Sequence, residues 1–344
     1  MKARRITRVL PLLLLVLCLF SAGSRALPQR YTHRFFGAFD TEFSLVAYAG
    51  SAARFDAFAS EFQARVMEYH RLFDIYHSYA GINNLKTIND SAGIAPVEAA
   101  PALMDLLRFG RDMYAATGGT VNIALGPVLS LWHDARTQSL NDPAHAALPD
   151  ENELRAAEAL CDITRLTLDE GNGTVFLNNP GMSLDVGAVA KGYAAQRAAR
   201  EAAEICGVDS YLINAGGNIV TGAPPPDRPG HWAVGLQNPE KISPSQTMEP
   251  DTASAAEYTQ VIRISHGSVV TSGDYQRFYI YEGKRMGHII DPETLFSAAR
   301  YRAVSVIGED SGICDALSTA LFILPEEEGH ALAKQMGYEA FWTY

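Results

Sequence analysis

The chain has 344 residues, 47% hydrophobic and 19% charged, a balance that excludes disordered, collagen-like and coiled-coil classes. Its 28 basic residues against 39 acidic ones give a formal charge of −11, which argues against binding nucleic acid through a broad basic face. An anionic ligand would need a cation or a local basic cluster to hold it.

Lys2, Arg4, Arg5 and Arg8 precede the apolar run from Val9 to Phe20, and Ser24-Arg25-Ala26 offers a small-x-small cleavage site. This is the pattern of a secretory signal over 1–26, with an uncleaved membrane anchor as the alternative, and it predicts an exported protein at the outer face of the cytoplasmic membrane or in the periplasm. Removing the segment takes away five basic and no acidic residues, and the charge becomes −16. Three cysteines remain, Cys161, Cys206 and Cys314, an odd number that suggests buried small hydrophobes, not a disulfide framework.

Phe55, Phe58, Phe62, Val66, Tyr69 and Phe73 recur at helical spacing, so 53–73 is expected to form an amphipathic helix with an aromatic face. A second helix runs from Pro101 to Gly118-Gly119, and a short third, 151–160, follows the cap residue Asp150. Residues 163–178 alternate around Asp169-Glu-Gly-Asn-Gly173 as a hairpin. Residues 183–186 read as a strand that turns at Gly187 into an Ala-rich helix, 189–205, and 210–214 as a strand ending at Gly216-Gly217. Further strands are expected at 231–236, 259–264, 268–271, 276–281 and 301–307, then helices near 312–323 and 326–336. Residues 238–258, rich in Pro, Ser, Thr, Glu and Ala without a period, read as an exposed insertion. Hairpins beside packed helices predict an α+β fold with mixed or antiparallel sheets, one unit over 27–344.

Walker, dinucleotide-type glycine, CxxC, HExxH and GxSxG patterns are absent. Four weaker signals, the last made of two glycine turns, carry the chemistry. In Ser183-Leu-Asp-Val-Gly-Ala-Val-Ala-Lys-Gly192, Asp185 precedes a turn into a helix start, whose unpaired N–H groups and positive dipole end favour an anion, with Lys191 adding charge. Close helix–sheet packing explains the same glycines about equally well. Asp315 and Thr319 lie one turn apart and present a carboxylate and a hydroxyl to one point, oxygen ligands that suit Mg²⁺; a helix cap plus a core threonine is the plainer reading. In Gly287-His-Ile-Ile-Asp-Pro292, His288 could serve as a general base with Asp291 orienting it. Asn214-Ala-Gly-Gly-Asn218 and Thr271-Ser-Gly-Asp274 are glycine turns of the kind that bring backbone amides to a ligand.

Taken in order, Asp-Val-Gly-Ala-Val-Ala-Lys-Gly, Asn-Ala-Gly-Gly-Asn, Thr-Ser-Gly-Asp-Tyr, His-Ile-Ile-Asp-Pro and Asp-Ala-Leu-Ser-Thr-Ala-Leu-Phe resemble the ApbE family of Mg²⁺-dependent FAD:protein FMN transferases, over about residues 36–343. The resemblance implies a two-lobed, T-fold-like α+β unit. It implies a metal held by Asp315, Thr319 and the Ala188 carbonyl, and FAD touching Asp185 and Lys191. Tyr76 corresponds to the aromatic that covers the isoalloxazine, and Phe39 to the methionine of a Met-Gly-Thr motif. Thr120, Val121 and Asn122 fall on the FDxTVGP segment, and Ile289 beside the HxxDP histidine. Three departures surround the flavin-ring end: Asn122 replaces an acidic residue, Phe39 a methionine, and the loop after Tyr76 is longer than usual.

The implied reaction transfers FMN from FAD to a Thr or Ser hydroxyl of an acceptor protein and releases AMP. The acceptor implied is a membrane-associated electron-transfer subunit or an FMN-binding domain, with peripheral or anchored membrane association and no nucleic acid. An FAD pyrophosphatase, a non-catalytic FAD carrier and a structural domain use the same residues differently.

Overall fold

The computed structural model describes residues 27–228, 230–241 and 258–344. The expected signal and most of the expected insertion lie outside them. The chain opens with an antiparallel hairpin, β1 (Gln29–Ala38) and β2 (Thr41–Ala49), and α1 (Ala52–Phe73) starts where the Ser51 hydroxyl accepts the Arg54 N–H. Next come α2 (Leu85–Asp90), β3 (Val97–Glu98), α3 (Pro101–Ala116), α4 (Gly126–Asn141) and α5 (Glu151–Glu158), the last capped by Asp150. The hairpin β4 (Leu166–Asp169) and β5 (Thr174–Leu177) forms a small sheet with β3.

After α6 (Ala190–Cys206) the chain runs through β6 (Tyr211–Ala215), β7 (Asn218–Thr221), β8 (Trp232–Gln237), β9 (Tyr258–Ile264) and β10 (Gly267–Gly273). It closes with the hairpin β11 (Phe278–Tyr281) and β12 (Lys284–Gly287), then β13 (Ala303–Gly308), α7 (Ser311–Ile323), α8 (Glu326–Met336) and β14 (Glu339–Thr343).

Seven strands form the central sheet in the order β1-β2-β6-β7-β10-β13-β14, every neighbouring pair antiparallel. Side chains alternate across it. Phe43, Leu45, Ile213 and Val220 point to one side, where the aromatic face of α1 and the alanines of α6 complete the main core. Leu212, Ile219 and Val269 point to the other, where the β8–β9 ribbon lays down Val234, Leu236 and Ile262. The α+β architecture expected from the sequence is present, with antiparallel pairing throughout the described strands.

The expected strand at 183–186 does not form: these residues join no sheet. Their backbone is claimed otherwise: the Asn89 amide accepts the Leu184 N–H at 2.7 Å and donates to the Leu184 carbonyl at 2.9 Å, while the Asp185 N–H goes to the Ile123 carbonyl at 2.8 Å. All three cysteines are free; Cys161 and Cys314 are buried as expected, and Cys206 is half-buried. Among the described residues no helix is long and apolar enough to cross a membrane.

Candidate active site

Helices α6 and α7 meet the start of β7 at a compact polar cluster. Asp315 is 4% exposed, and its Oδ2 accepts the Gly192 N–H at 2.8 Å in the first turn of α6. That helix start, expected to face a phosphate, therefore gives this N–H to a buried carboxylate of the protein, the anion its dipole end favours. No side chain caps α6, and Gly192 is required there: a Cβ would lie 2.2 Å from the Ser311 carbonyl oxygen.

Lys191 donates from Nζ to Asn218 Oδ1 at 2.6 Å, while Asn218 Nδ2 is buried without a hydrogen bond. Burial pushes the Asp315 carboxyl above the usual carboxylate range against the pull of Lys191, and burial likewise holds the Lys191 ammonium below its ordinary value against the pull of Asp315. A cation at Asp315 and an anion at Lys191 would each favour the charged form.

Thr319 lies one turn after Asp315, and its hydroxyl makes no hydrogen bond among the described residues, so it is not a core threonine bonded to its own helix. The neighbouring Ser318 differs, joined to Ser272 at 2.7 Å and to the Asp315 carbonyl at 3.0 Å. Ala188 sits in the turn before α6. A carboxylate, a free hydroxyl and a peptide carbonyl are hard oxygen donors suited to Mg²⁺. Such a set holds one carboxylate, and among the described residues no three His, Cys, Asp or Glu side chains converge.

Asp185 fixes the turn before α6 by accepting the Gly187 N–H at 2.8 Å; burial pushes its carboxyl up, with that bond, His133 and Arg277 acting against the rise. Tyr76 follows α1 in a loop tied by the buried Asp74, which accepts the N–H groups of Tyr76 and His77 and the Tyr79 hydroxyl. Burial alone would raise the Asp74 carboxyl, but these hydrogen bonds outweigh it and hold it low. The Tyr76 hydroxyl lies 3.4 Å from His133 Nδ1, and Arg136 Nη2 3.2 Å from the same nitrogen.

Phe39 occupies a two-residue turn with Asp40, both left-handed at φ 50° and 52°, clasped by Arg277 through the two backbone carbonyls. Left-handed non-glycine residues in a tight turn carry strain. His288 follows β12 and is exposed. Lost hydration, then Arg277, Lys191 and Arg136, push its imidazole down to about 3. The ring is therefore neutral at physiological pH, and it stays accessible.

Other expected contacts are placed differently. Asp291 spends its carboxylate on the Glu293 N–H at 2.9 Å, a turn of its own after Ile290, and no hydrogen bond joins it to His288. The Ile289 and Val121 side chains are buried in the core, the Ile289 carbonyl accepts the Ala298 N–H and the Val121 N–H donates to the Thr117 hydroxyl. Asn122 uses its amide to accept the Ala124 N–H and donate to the Cys161 carbonyl, and Thr120 stays partly open beside it.

Residues 39–342 match the ApbE family. This chain belongs to the ApbE family. It is 32% identical to an FAD:protein FMN transferase of Klebsiella pneumoniae strain 342, across 81% of this chain and 79% of that one. It is also 32% identical to one of Treponema pallidum, across 76% and 70%. The solved ApbE protein of Thermotoga maritima superposes with a TM-score of 0.74 at 24% identity, covering 91% of this chain and 94% of the other. The Vibrio cholerae flavin transferase ApbE superposes at 0.72 and 19% identity, covering 91% and 94%. These two share the fold.

Around the ApbE motifs the structure adds residues that sequence reading passed over. Asn218 was visible only as the end of a glycine turn. Arg277 follows the Thr-Ser-Gly-Asp-Tyr segment by one position beyond Gln276, and His133 and Arg136 lie three apart on α4, a helix signalled only by Gly126-Pro127 at its start.

Proposed function

We propose that this ApbE-family chain is a transferase that moves FMN from FAD onto a protein, with a Thr or Ser hydroxyl as the acceptor group and AMP as the leaving group. The observation that carries it is the closing of Asp315 on the Gly192 N–H, next to Lys191 and with the Thr319 hydroxyl one turn further along α7, within a chain matching the family from 39 to 342. Asp315, Thr319 and the Ala188 carbonyl would hold Mg²⁺. When bound, the ion supplies positive charge to the pyrophosphate oxygens and to the leaving phosphate.

Lys191, held by Asn218, binds the pyrophosphate as a fixed cation on an otherwise acidic chain. Tyr76, set by Asp74, supplies the aromatic face for the flavin ring. His288, neutral and accessible, takes the acceptor proton. The new Oγ–P bond forms on the FMN phosphorus as the bond to the bridging oxygen breaks, and AMP leaves with that electron pair. The basic-then-apolar segment 1–26 supports a reaction outside the cytoplasm, on an acceptor at the membrane.

The test is mass spectrometry of a flavin-acceptor domain from the same genome after incubation with this chain, FAD and Mg²⁺. An added FMN mass is expected on one Thr or Ser, with AMP released in equal amount. Free FMN and AMP with no labelled protein would convert the assignment to a pyrophosphatase.

A further inference from the structure

A cavity of about 400 Å³ lies on the sheet face opposite α6 and α7, between β2, β6 and β7 on one side and the β8–β9 ribbon on the other. Three features tie it to the reaction. Its end is the Gly216–Gly217 turn, and the next residue is Asn218, which holds Lys191. Asn218 points to the helix side and Ile219 into the cavity, so the ion site and the cavity sit back to back across β7 and meet at the turn.

The second feature is an open strand edge. Val234, Gly235 and Leu236 line the cavity in unbroken succession. A strand presenting only one face would contribute alternate residues, so β8 borders the cavity along its edge. The partner of β8 on its other edge is β9, and among the described residues it pairs with no second strand. A strand edge that no described strand covers, running along a groove, is the seat used by extended peptides that add a strand.

The third is the lining. Ser44, Asn214 and Thr271 give a polar wall opposite the ribbon, while Ile219 and Val269 give an apolar floor. At the turn end Thr41 packs directly on Gly216, where a Cβ would lie 2.0 Å from Thr41 Oγ1, so the turn itself carries no side chain at that point.

We propose that this groove receives an extended segment of the acceptor protein, paired to the outer edge of β8, and delivers its hydroxyl residue past the Gly216–Gly217 turn to the phosphorus. Entry from the side away from the ion site suits an in-line displacement, in which the attacking oxygen and the leaving AMP lie on opposite sides of the phosphorus. The proposal rests on the transferase reading above. It assigns one face of the sheet to the protein substrate and leaves the helix side to FAD.

The experiment uses the full chain with the flavin-acceptor domain of the transfer assay. Hydrogen–deuterium exchange is followed with FAD alone, with AMP alone and with the acceptor carrying Ala in place of its reacting residue. Slowed exchange at 234–236 is expected with the acceptor only; slowing with FAD or AMP would make the groove a nucleotide seat and overturn the proposal. In parallel, Ser44→Trp fills the middle of the groove and should raise the acceptor KM at least tenfold while the KM for FAD stays within twofold. Equal acceptor KM values in wild type and Ser44→Trp, with exchange at 234–236 unaffected by the acceptor, would also overturn it. Failure of the wild type to label any acceptor overturns the transferase reading itself, and is seen before either groove measurement is made.

Discussion

Lost hydration first, and then the charges of Arg277, Lys191 and Arg136, act on the His288 ring. Its folded value lies below the ordinary 6.5, so the native state favours the neutral ring. The stability this contributes is present above pH 6.5 and fades as pH falls from there towards about 3. A bound pyrophosphate faces the same cations and offsets them. NMR titration of His288 should therefore show a value well below 6.5 in the free protein and an upward move with FAD. An unmoved value on FAD binding would mean that the substrate phosphates lie elsewhere. For His288→Asn, transfer should slow at least a hundredfold, the usual weight of one general base, with FAD affinity preserved. Loss of FAD affinity instead would make His288 a positioning residue. Asp315→Ala should abolish Mg²⁺-dependent AMP release while circular dichroism stays native; turnover at the wild-type rate would remove the ion from Asp315.

At the scale of elements, the α6–α7 contact decides where Asp315 stands, because its carboxylate closes on the Gly192 N–H at a point with no room for a side chain. Gly192→Ala forces a methyl group towards the Ser311 carbonyl and should cost about 1–3 kcal/mol, as overpacking does. Thermal unfolding gives the stability loss, and Mg²⁺ titration in the presence of FAD should weaken with it. Stability lost with unchanged ion affinity would show that the two helices can separate without moving the carboxylate.

How much was legible in the sequence also divides by element. The aromatic face of 53–73 and the Asp150 cap are local signals, and they correspond to α1 and α5. Helix α4 escaped because it buries little beyond Val128 and Trp132, too few apolar positions to mark a period. Residues 183–186 carry strand composition, but Asn89, 95 positions away, takes the hydrogen bonds a neighbouring strand would have made. The Asp291 turn is likewise local, closing on Glu293, and spacing alone suggested a partner in His288. Gly192 with Asp315 and Lys191 with Asn218 are joined over 123 and 27 positions, and no local pattern can reveal such pairs. The order of motifs pointed to them only through the resemblance to ApbE proteins.

Over the whole molecule the site exists only when the central sheet closes, since Asp185 and Lys191, Asn218, His288 and Asp315 come from four separate segments on and around it. Unfolding scatters them, so a ligand that needs them together binds the native state alone and stabilises it. At a hundredfold excess over Kd that stabilisation is about 2.7 kcal/mol. The net charge of −11 opposes FAD at long range, and screening at physiological ionic strength limits this repulsion to about 8 Å. Local charge then decides binding. In the proposed site FAD alone would meet Lys191 but also the carboxyl groups of Asp185 and Asp315; Mg²⁺ alone would have one buried carboxyl group and a hydroxyl. Each partner supplies what the other lacks, so their effects on Tm should exceed the sum of the two measured separately. The Asp315→Ala variant should lose that excess while keeping the shift due to FAD alone. Melting curves with Mg²⁺, FAD, both and neither measure it directly, and simple additivity in the wild type would mean that ion and pyrophosphate do not share the Asp315 site.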